Sequence, residues 1–152
     1  MTEAAKLLRA YSLEDDEGER LSFSDAEFLV KASADTTGGA FSIIVEMNPL
    51  DTPLHVHKSE DELFFVLEGE HVFRVGDEEF HVGPGGTVFA PRGVPHSHRR
   101  VVPRTGRFLT MVSPAGFERF FKELSEAVRP GSSMPEAYER TSKKFGITWL
   151  GE

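Results

Sequence analysis

The sequence predicts an all-β fold, an antiparallel sandwich or barrel, with helices added after the last strand. Short apolar runs separated by Gly, Pro or Asp clusters fill residues 21–112, and such spacing of strands and turns is typical of sandwiches and barrels. The composition agrees, because 14 Gly and 9 Pro are more than a helix bundle would carry. At 152 residues, the chain is interpreted as one domain with one sizeable core.

The strand region follows a polar, acidic stretch at residues 1–20, which we interpret as a loosely attached arm or short helix. Eight strand-like runs come next: AEFLVKA, AFSIIVEM, PLHVH, ELFFVLEG, HVFRVG, EEFHVG, GTVFAP and GRFLTMV. Gly76-Asp77, between the fifth and sixth runs, is the clearest hairpin turn. Several runs are apolar on both faces, as expected when one face lines a small barrel and the other meets a second layer or a partner subunit.

Residues 113–152 change from an alternating to a helical pattern. A first helix is predicted by five apolar residues at helical spacing: Phe117, Phe120, Phe121, Leu124 and Val128. After a break at Pro130-Gly131, Ser133 at the cap and Pro135 at the first helical turn predict a second helix that Gly146 ends. Its helically spaced residues are interpreted as a packing face: Met134, Tyr138, Thr141 and Phe145.

Charge and composition exclude several classes of function. The formal net charge of -8 opposes binding to phosphate backbones, so nucleic acid is not expected as a partner. The first 20 residues lack the pattern of a secretory signal, and no apolar run has the length of a membrane span, so we expect a soluble, cytoplasmic protein. Because the chain contains no Cys, its chemistry must come from His, carboxylates, hydroxyls or a metal ion.

Three histidines and one glutamate have the spacing of a metal site. His55 and His57 lie two residues apart, so on a strand both rings point to the same face. If residues 58–61 join consecutive strands, Glu62 returns its carboxylate to the height of these rings. His96 follows a turn that contains two prolines and would supply a third imidazole.

This set of donors suits one divalent transition metal ion, namely Fe, Mn, Ni, Zn, Co or Cu. The sequence does not distinguish among them. Four protein ligands on an ion that accepts five or six leave one or two positions for water, dioxygen or a substrate. The pattern therefore indicates chemistry or ligand binding rather than a closed structural site.

At these residues the chain resembles the cupin superfamily. The segments PLHVHKSEDELFFVLEG and GPGGTVFAPRGVPHSHRR are similar to the two cupin motifs, which the chain meets with His55, His57, Glu62, Gly69, Gly85, Pro91, Gly93 and His96. Two positions depart from the family pattern, Pro49 in place of a frequent Gly and Arg100 in place of a frequent Asn, and neither is a ligand position. The phrases FVLEGE, FAPRGVPH and SPAGFERFF are most similar to small single-domain bacterial cupins labelled quercetin-dioxygenase-like.

The resemblance implies a jelly-roll β-barrel, the four metal ligands named above, and a homodimer, since cupins commonly pair. It also implies a small-molecule substrate and, as the leading hypothesis, a metal-dependent dioxygenase in which Glu62 is both a ligand and a proton acceptor. Two alternatives stay open. One is a redox-neutral isomerase, epimerase or decarboxylase that uses the metal as a Lewis acid, and the other is a non-catalytic metal or ligand-binding module.

Several further residues are considered as candidates for the lining of the cavity beside the metal site. Phe64 and Val66 share the parity of Glu62 and point inward, where they either fill the core or give the cavity an apolar wall. For His98, alternation favours the cavity, whereas a bulge after Pro95 would turn it outward. His71 and His81 lack a motif partner and are expected at solvated or edge positions.

Overall fold

The computed structural model describes residues 7–23, 26–103, 105–127 and 134–151. Most of them belong to two antiparallel sheets. One sheet has six strands in the order β1 (Glu19–Phe23), β2 (Ala26–Ala32), β3 (Ser42–Met47), β10 (Arg107–Ser113), β5 (Asp61–Glu68) and β8 (Thr87–Ala90). The other has five, in the order β11 (Ile147–Trp149), β4 (Thr52–His57), β9 (His96–Arg100), β6 (His71–Val75) and β7 (Glu78–Val82).

Three helices complete the described chain: α1 (Ala34–Thr37), α2 (Glu118–Ala127) and α3 (Met134–Lys144). The prediction of an all-β fold with C-terminal helices is therefore confirmed. The expected hairpin is also present, because Gly76 and Asp77 join β6 to β7 and Gly76 has a φ of 60°. Within the described residues, no helix has the length and apolar character needed to cross a lipid bilayer.

Two apolar clusters fill the space between the sheets. The first lies under the helices and joins strand residues such as Phe28 and Ile44 to Phe117, Phe120 and Leu124. The second lies deeper between the sheets, where Phe64, Val66, Phe73 and Phe108 are central. The inward-facing residues of small barrels fill the interior in this way.

The C-terminal helices pack on edge strands and on each other, with α2 on β1 and α3 on β11. The α2 residues of the predicted stripe face the first cluster, so the helical spacing did identify a packing face. Tyr138 and Phe145 of the second predicted helix pack on the same cluster. Val128, Pro130-Gly131, the cap Ser133 and the side chains of Met134 and Pro135 lie outside the described residues.

A buried carboxylate fastens α2 to the sheet. Glu118 accepts hydrogen bonds from Ser42 Oγ, from the Ala34 backbone N–H at 2.8 Å and from the Gly116 backbone N–H at 3.1 Å. These contacts join the start of α2 to β3 and to the first turn of α1. Helix α2 is thereby held at a fixed place relative to the strands.

The N-terminal segment is more firmly attached than the sequence predicts. The Tyr11 hydroxyl donates to the Lys31 carbonyl at 2.6 Å, and Lys31 Nζ donates to the carbonyls of Glu14 and Asp15 at 2.7 and 2.9 Å. β1 begins at Glu19, within the stretch interpreted as an arm. Polar contacts to one lysine, which periodicity does not reveal, account for the difference.

His71 also differs from expectation, because it is fully buried rather than solvated. Its Nε2 lies 3.1 Å from the Glu68 carbonyl oxygen. Gly106, with a φ of 116°, passes so close that a Cβ there would lie 2.6 Å from His71 Cε1. A glycine remote in sequence therefore makes the space for this ring. His81 lies exposed on the edge strand β7, as expected.

Candidate metal centre

The structure brings His55, His57, Glu62 and His96 together in one buried cluster. One potential ligand atom from each side chain lies within 4.8 Å of all the others. Glu62 Oε2 is 2.6 Å from His96 Nε2 and 3.5 Å from His57 Nε2. All four side chains are at most 7% exposed.

Strand register explains why these residues meet. His55 and His57 alternate onto the inner face of β4, and His55 pairs directly with His96 on the adjacent strand β9. Glu62 comes from the opposite sheet, where it is the second residue of β5. The cluster thus bridges the two layers at one end of the sandwich.

The turn before His96 is tied to the residue before Glu62. Asp61 Oδ1 accepts from the Arg92 backbone N–H at 2.8 Å and from Arg92 Nε at 3.1 Å, and Asp61 Oδ2 accepts from Arg92 Nη2 at 2.9 Å. The Gly93 backbone N–H donates to the His57 carbonyl at 2.9 Å. These contacts fix the relative positions of the strands that carry the cluster.

Each imidazole has its Nδ1 directed away from the centre of the cluster. His55 Nδ1 lies 2.9 Å from the Pro53 carbonyl oxygen, and His96 Nδ1 lies 3.5 Å from that of Val94. His57 Nδ1 lies 3.5 Å from Glu60 Oε2. Groups of this kind orient metal-binding histidines and leave the Nε2 lone pair free for the ion.

Electrostatics favour an ionised glutamate beside a neutral histidine. Burial alone would raise the pKa of Glu62, but the charge of His57 and the contact with His96 lower that pKa to about 2. Burial, together with the charge of His96, lowers the pKa of His55 to about 4. Burial opposes protonation of His57, yet Glu62 and Glu60 raise its pKa above the usual value. Glu62 is therefore the negatively charged group of the cluster, and His57 is an imidazole that its charge helps to protonate.

The chemistry of the cluster fits a cation. Within the described residues, both ring nitrogens of His57, His96 Nε2 and Glu62 Oε2 are buried without a well-formed hydrogen bond. Such atoms are costly unless a partner satisfies them. A divalent ion bound by three Nε2 atoms and one carboxylate oxygen would satisfy the inward-facing atoms at once.

A small cavity adjoins the cluster. The centres of water molecules could occupy about 60 Å³ of it, which corresponds to roughly four waters. Its wall is mainly aromatic and aliphatic. Besides the four cluster residues, it consists of Phe28, Glu46, Leu50, Thr52, Phe64, His98, Phe117, Phe120, Phe121, Tyr138, Ile147 and Trp149.

Of the three residues considered as lining, Phe64 and His98 lie on this wall and Val66 does not. Val66 does point inward, but two residues further along β5, where Phe73 and Phe108 fill the interior. It is fully buried in the second core cluster, so its role is packing. His98 points inward, with its ring centre 5.0 Å from that of Phe108.

Sequence reasoning missed Trp149, Glu46 and Tyr138. Trp149 lies on the unpredicted strand β11, pairs with His55, and has its ring centre 4.8 Å from the His55 ring. Its Nε1 donates to Ser142 Oγ at 2.7 Å. Alternation with the buried Ile44 in AFSIIVEM could have placed Glu46 on the inner face. No comparable signal identifies Trp149, because ITW is a very short run that follows a helix.

The cluster lies in a part of the chain that matches a known protein family. A model of the cupin domain matches residues 43–112, a stretch that includes all four cluster residues. Residues 43–112 are a cupin domain. The two sheets form the jelly-roll barrel of that family, and the buried His/Glu cluster is a candidate metal site of the cupin type.

Among curated proteins, this cupin is 28% identical to quercetin 2,3-dioxygenase of Bacillus subtilis over 136 residues. The match covers 88% of this chain and 40% of the relative. An uncharacterized protein of Methanocaldococcus jannaschii is 36% identical over 45 residues, which are 30% of this cupin and 36% of that protein. The chain thus spans well under half of the length of either relative.

Among solved structures, KdgF from Halomonas sp. matches this cupin with a TM-score of 0.63 at 14% identity, covering 73% of this chain and 99% of that one. Pac13, described as a unique nucleoside dehydratase, matches with a TM-score of 0.57 at 15% identity, covering 73% and 88%. At such identities the likeness shows the fold alone.

Proposed function

We propose that this cupin binds one divalent transition metal ion through His55, His57, Glu62 and His96. The main support is that one potential ligand atom from each of the four buried side chains lies within 4.8 Å of the other three. The buried nitrogens and carboxylate oxygen that lack hydrogen bonds support the same proposal. Fe, Mn, Ni, Zn, Co and Cu are all compatible with three imidazoles and a carboxylate.

Metal content tests this proposal. We expect about one transition ion per chain in protein purified without added metal or an affinity tag. His57→Ala removes one of four ligands and should reduce the ions retained after dialysis by about tenfold or more. His81→Ala is the matched control, because that imidazole is 71% exposed and lies outside the cluster. Equal metal content in wild type and His57→Ala would remove the ligand assignment.

We further propose that this cupin is a dioxygenase acting on a small phenol, enol or diketone. The similarity to quercetin 2,3-dioxygenase extends over 88% of the chain and supports this reaction class. The largely aromatic wall favours an unsaturated, partly apolar ligand. The volume of about 60 Å³ favours a compact ligand over one with several fused rings.

The residues of the cavity have separate tasks in this proposal. A bound ion would supply a Lewis-acid centre to which the oxygens of a substrate can bind. Glu62 carries a carboxylate, so an oxygen that does not bind the ion can accept a hydroxyl proton. The rings of Phe64, Phe117 and Trp149 exclude water from the same space.

Oxygen uptake tests the dioxygenase proposal. Protein loaded with Fe(II), Mn(II) or Ni(II) should consume dioxygen only when a chelating phenol, enol or diketone is present. Glu62→Gln keeps the shape and one ligating oxygen but loses basicity, so it should reduce turnover more than metal occupancy.

Two results would contradict the dioxygenase proposal. Equal turnover under anaerobic conditions would indicate a redox-neutral isomerase, epimerase or decarboxylase. Tight metal-dependent binding without any turnover across the panel would indicate a binding module.

A further inference from the structure

Glu46 is an acidic side chain on the cavity wall that the metal proposal does not use. It lies on β3 with the inward parity of Ser42 and Ile44, both of which are buried. The strand belongs to the six-stranded sheet, two strands away from β5, which carries Glu62. Glu46 is therefore held by a central strand rather than by a mobile loop, and it faces the same space as the cluster.

The carboxyl group of Glu46 has no polar partner among the described residues. None of the hydrogen bonds or ion pairs within that part of the chain involves its side chain. The surrounding wall is apolar or aromatic and includes Phe28, Leu50 and Phe121. An acid in such a place costs stability unless a ligand satisfies it, which makes it a candidate for recognition.

The protonation state of Glu46 indicates what it can recognise. Burial, together with the negative charge of Glu62, raises its pKa to about 8. At neutral pH the group is largely a neutral carboxylic acid, which can donate one hydrogen bond and accept others. A neutral acid suits a hydroxyl or carbonyl group, whereas an ionised one would suit an amine.

We propose that Glu46 is the specificity-determining residue of the cavity and hydrogen-bonds a hydroxyl or carbonyl group of the ligand, remote from the oxygens that reach the cluster. The inference rests on the proposed binding of a small chelating molecule. The ligand then has two polar ends, one at the His/Glu cluster and one at Glu46, separated by a short apolar body. A site that hydrogen-bonds a ligand rejects the analogue that lacks that group, because its own buried polar atom is left unsatisfied.

Three hydroxypyranone chelators that differ in one substituent test this inference. They carry the same pair of metal-binding oxygens and, at the opposite side of the ring, a hydroxymethyl, a methyl or an aminomethyl group. Their dissociation constants are measured calorimetrically on the Zn(II)-loaded protein. Quenching of Trp149, the single tryptophan of the chain, shows whether each ligand reaches the cavity.

In the wild type, the hydroxymethyl compound should bind roughly three- to tenfold more tightly than the methyl compound, as expected for one hydrogen bond. Glu46→Leu should abolish this preference, and Glu46→Ala repeats the comparison with a smaller side chain. Glu46→Gln should keep the preference within about twofold, because an amide also donates and accepts. Glu27→Leu removes an exposed acid on the adjacent strand and should leave the preference unchanged.

The outcomes separate this inference from the proposed function. An equal preference in wild type and Glu46→Leu would overturn the role of Glu46, while metal-dependent binding of all three compounds would leave the small-molecule function standing. Tighter binding of the aminomethyl compound would also overturn it, in favour of a cation site. Failure of every chelator to bind the Zn(II)-loaded wild type would overturn both.

Discussion

The single carboxyl group of Glu46 should make the stability of the metal-free protein depend on pH. Its pKa is about 8 in the folded protein and near 4.5 in the unfolded chain. Between these values the folded state holds a proton that the unfolded state releases, so the free energy of unfolding decreases as the pH rises. Below about pH 4.5 the contribution is fully present, and above about pH 8 it is lost.

Glu46→Gln should lack this dependence. From about pH 5 to about pH 8, the free energy of unfolding of the wild type should fall by roughly 2 kcal/mol more than that of the variant. This difference is below the upper limit of ~1.4 kcal/mol per pH unit for one titrating group. Urea unfolding in the presence of a chelator measures the difference. Glu62 and Tyr138 interact electrostatically with Glu46 and are present in both proteins, so their own contributions largely cancel. Parallel stability curves for wild type and variant would contradict the assignment.

Among individual residues, the sequence predicted those that belong to a motif and missed those that are close only in the folded structure. The common face of His55 and His57 follows from strand parity, and His96 was identified from the second cupin motif. The burial of His71 depends on Gly106, a residue 35 positions away that leaves room for the ring. For Val66, strand parity left core filling and cavity lining open, because parity gives the face of a strand but not the depth along it.

The short strand β11 is the element that closes the cluster from the side. Trp149 pairs with His55 and Ile147 with His57, so the last described strand lies directly beside the strand that carries two proposed ligands. Trp149 packs on the His55 ring and is itself held by its bond to Ser142 on α3. The orientation of His55 therefore depends on both α3 and β11.

Trp149→Ala should destabilise the fold and weaken the packing that orients His55. We expect a loss of about 2–4 kcal/mol in the free energy of unfolding, because a large, partly buried ring is removed. Metal should also dissociate faster, as followed by competition with a coloured chelator. Trp149→Phe keeps an aromatic ring and should retain most of both properties, and Thr148→Ala, on the exposed face of the same strand, should change neither. Unchanged metal release in Trp149→Ala would show that His55 needs no support from β11.

Strands and helices were predicted where their periodicity extended over several residues. The alternating run of β10 and the helical stripe of α2 are both long enough to reveal their period. β11 has three residues and α1 has four, too few for any period to be distinguished. These short elements exist because of contacts with β4 and with Glu118, and both partners are remote in sequence.

For the whole molecule, we expect the barrel to remain folded when metal is removed. Its two apolar clusters contain residues from both sheets and do not include any of the proposed ligands. Chelation should lower the melting temperature but leave the β circular-dichroism signal at room temperature unchanged. His81→Ala gives the matched control, with the same response to chelator as the wild type. Loss of the signal on chelation would instead mean that the site is structural.

The outer face of the six-stranded sheet carries two apolar rows that run across its strands. Cross-strand pairing places Leu29, Val45, Leu109 and Phe65 in one row and Ile43, Met111, Leu63 and Phe89 in the other. Phe65 is 39% exposed and Phe89 is 53% exposed. Leu29 and Val45 are already buried within one chain. We propose that this face pairs with a second copy of the chain, which would bury the exposed members of both rows.

Sedimentation tests this homodimer. Phe89→Lys places a charge within the proposed interface and should shift the protein toward the mass of a monomer. Phe80→Lys is the control, because Phe80 is also exposed, at 38%, but lies on β7 of the other sheet. A wild type that sediments as a monomer at high concentration would exclude the pairing.

The contribution of β11 to the wall also has a consequence for the order of events during synthesis. The four proposed ligands lie between positions 55 and 96, whereas Trp149 is added more than fifty residues after His96. A growing chain therefore contains every donor atom well before it contains the strand that covers them. We expect a metal ion to enter most readily during that interval, from the side that β11 later occupies. The rate of metal uptake by the folded protein should then be limited by the opening of β11.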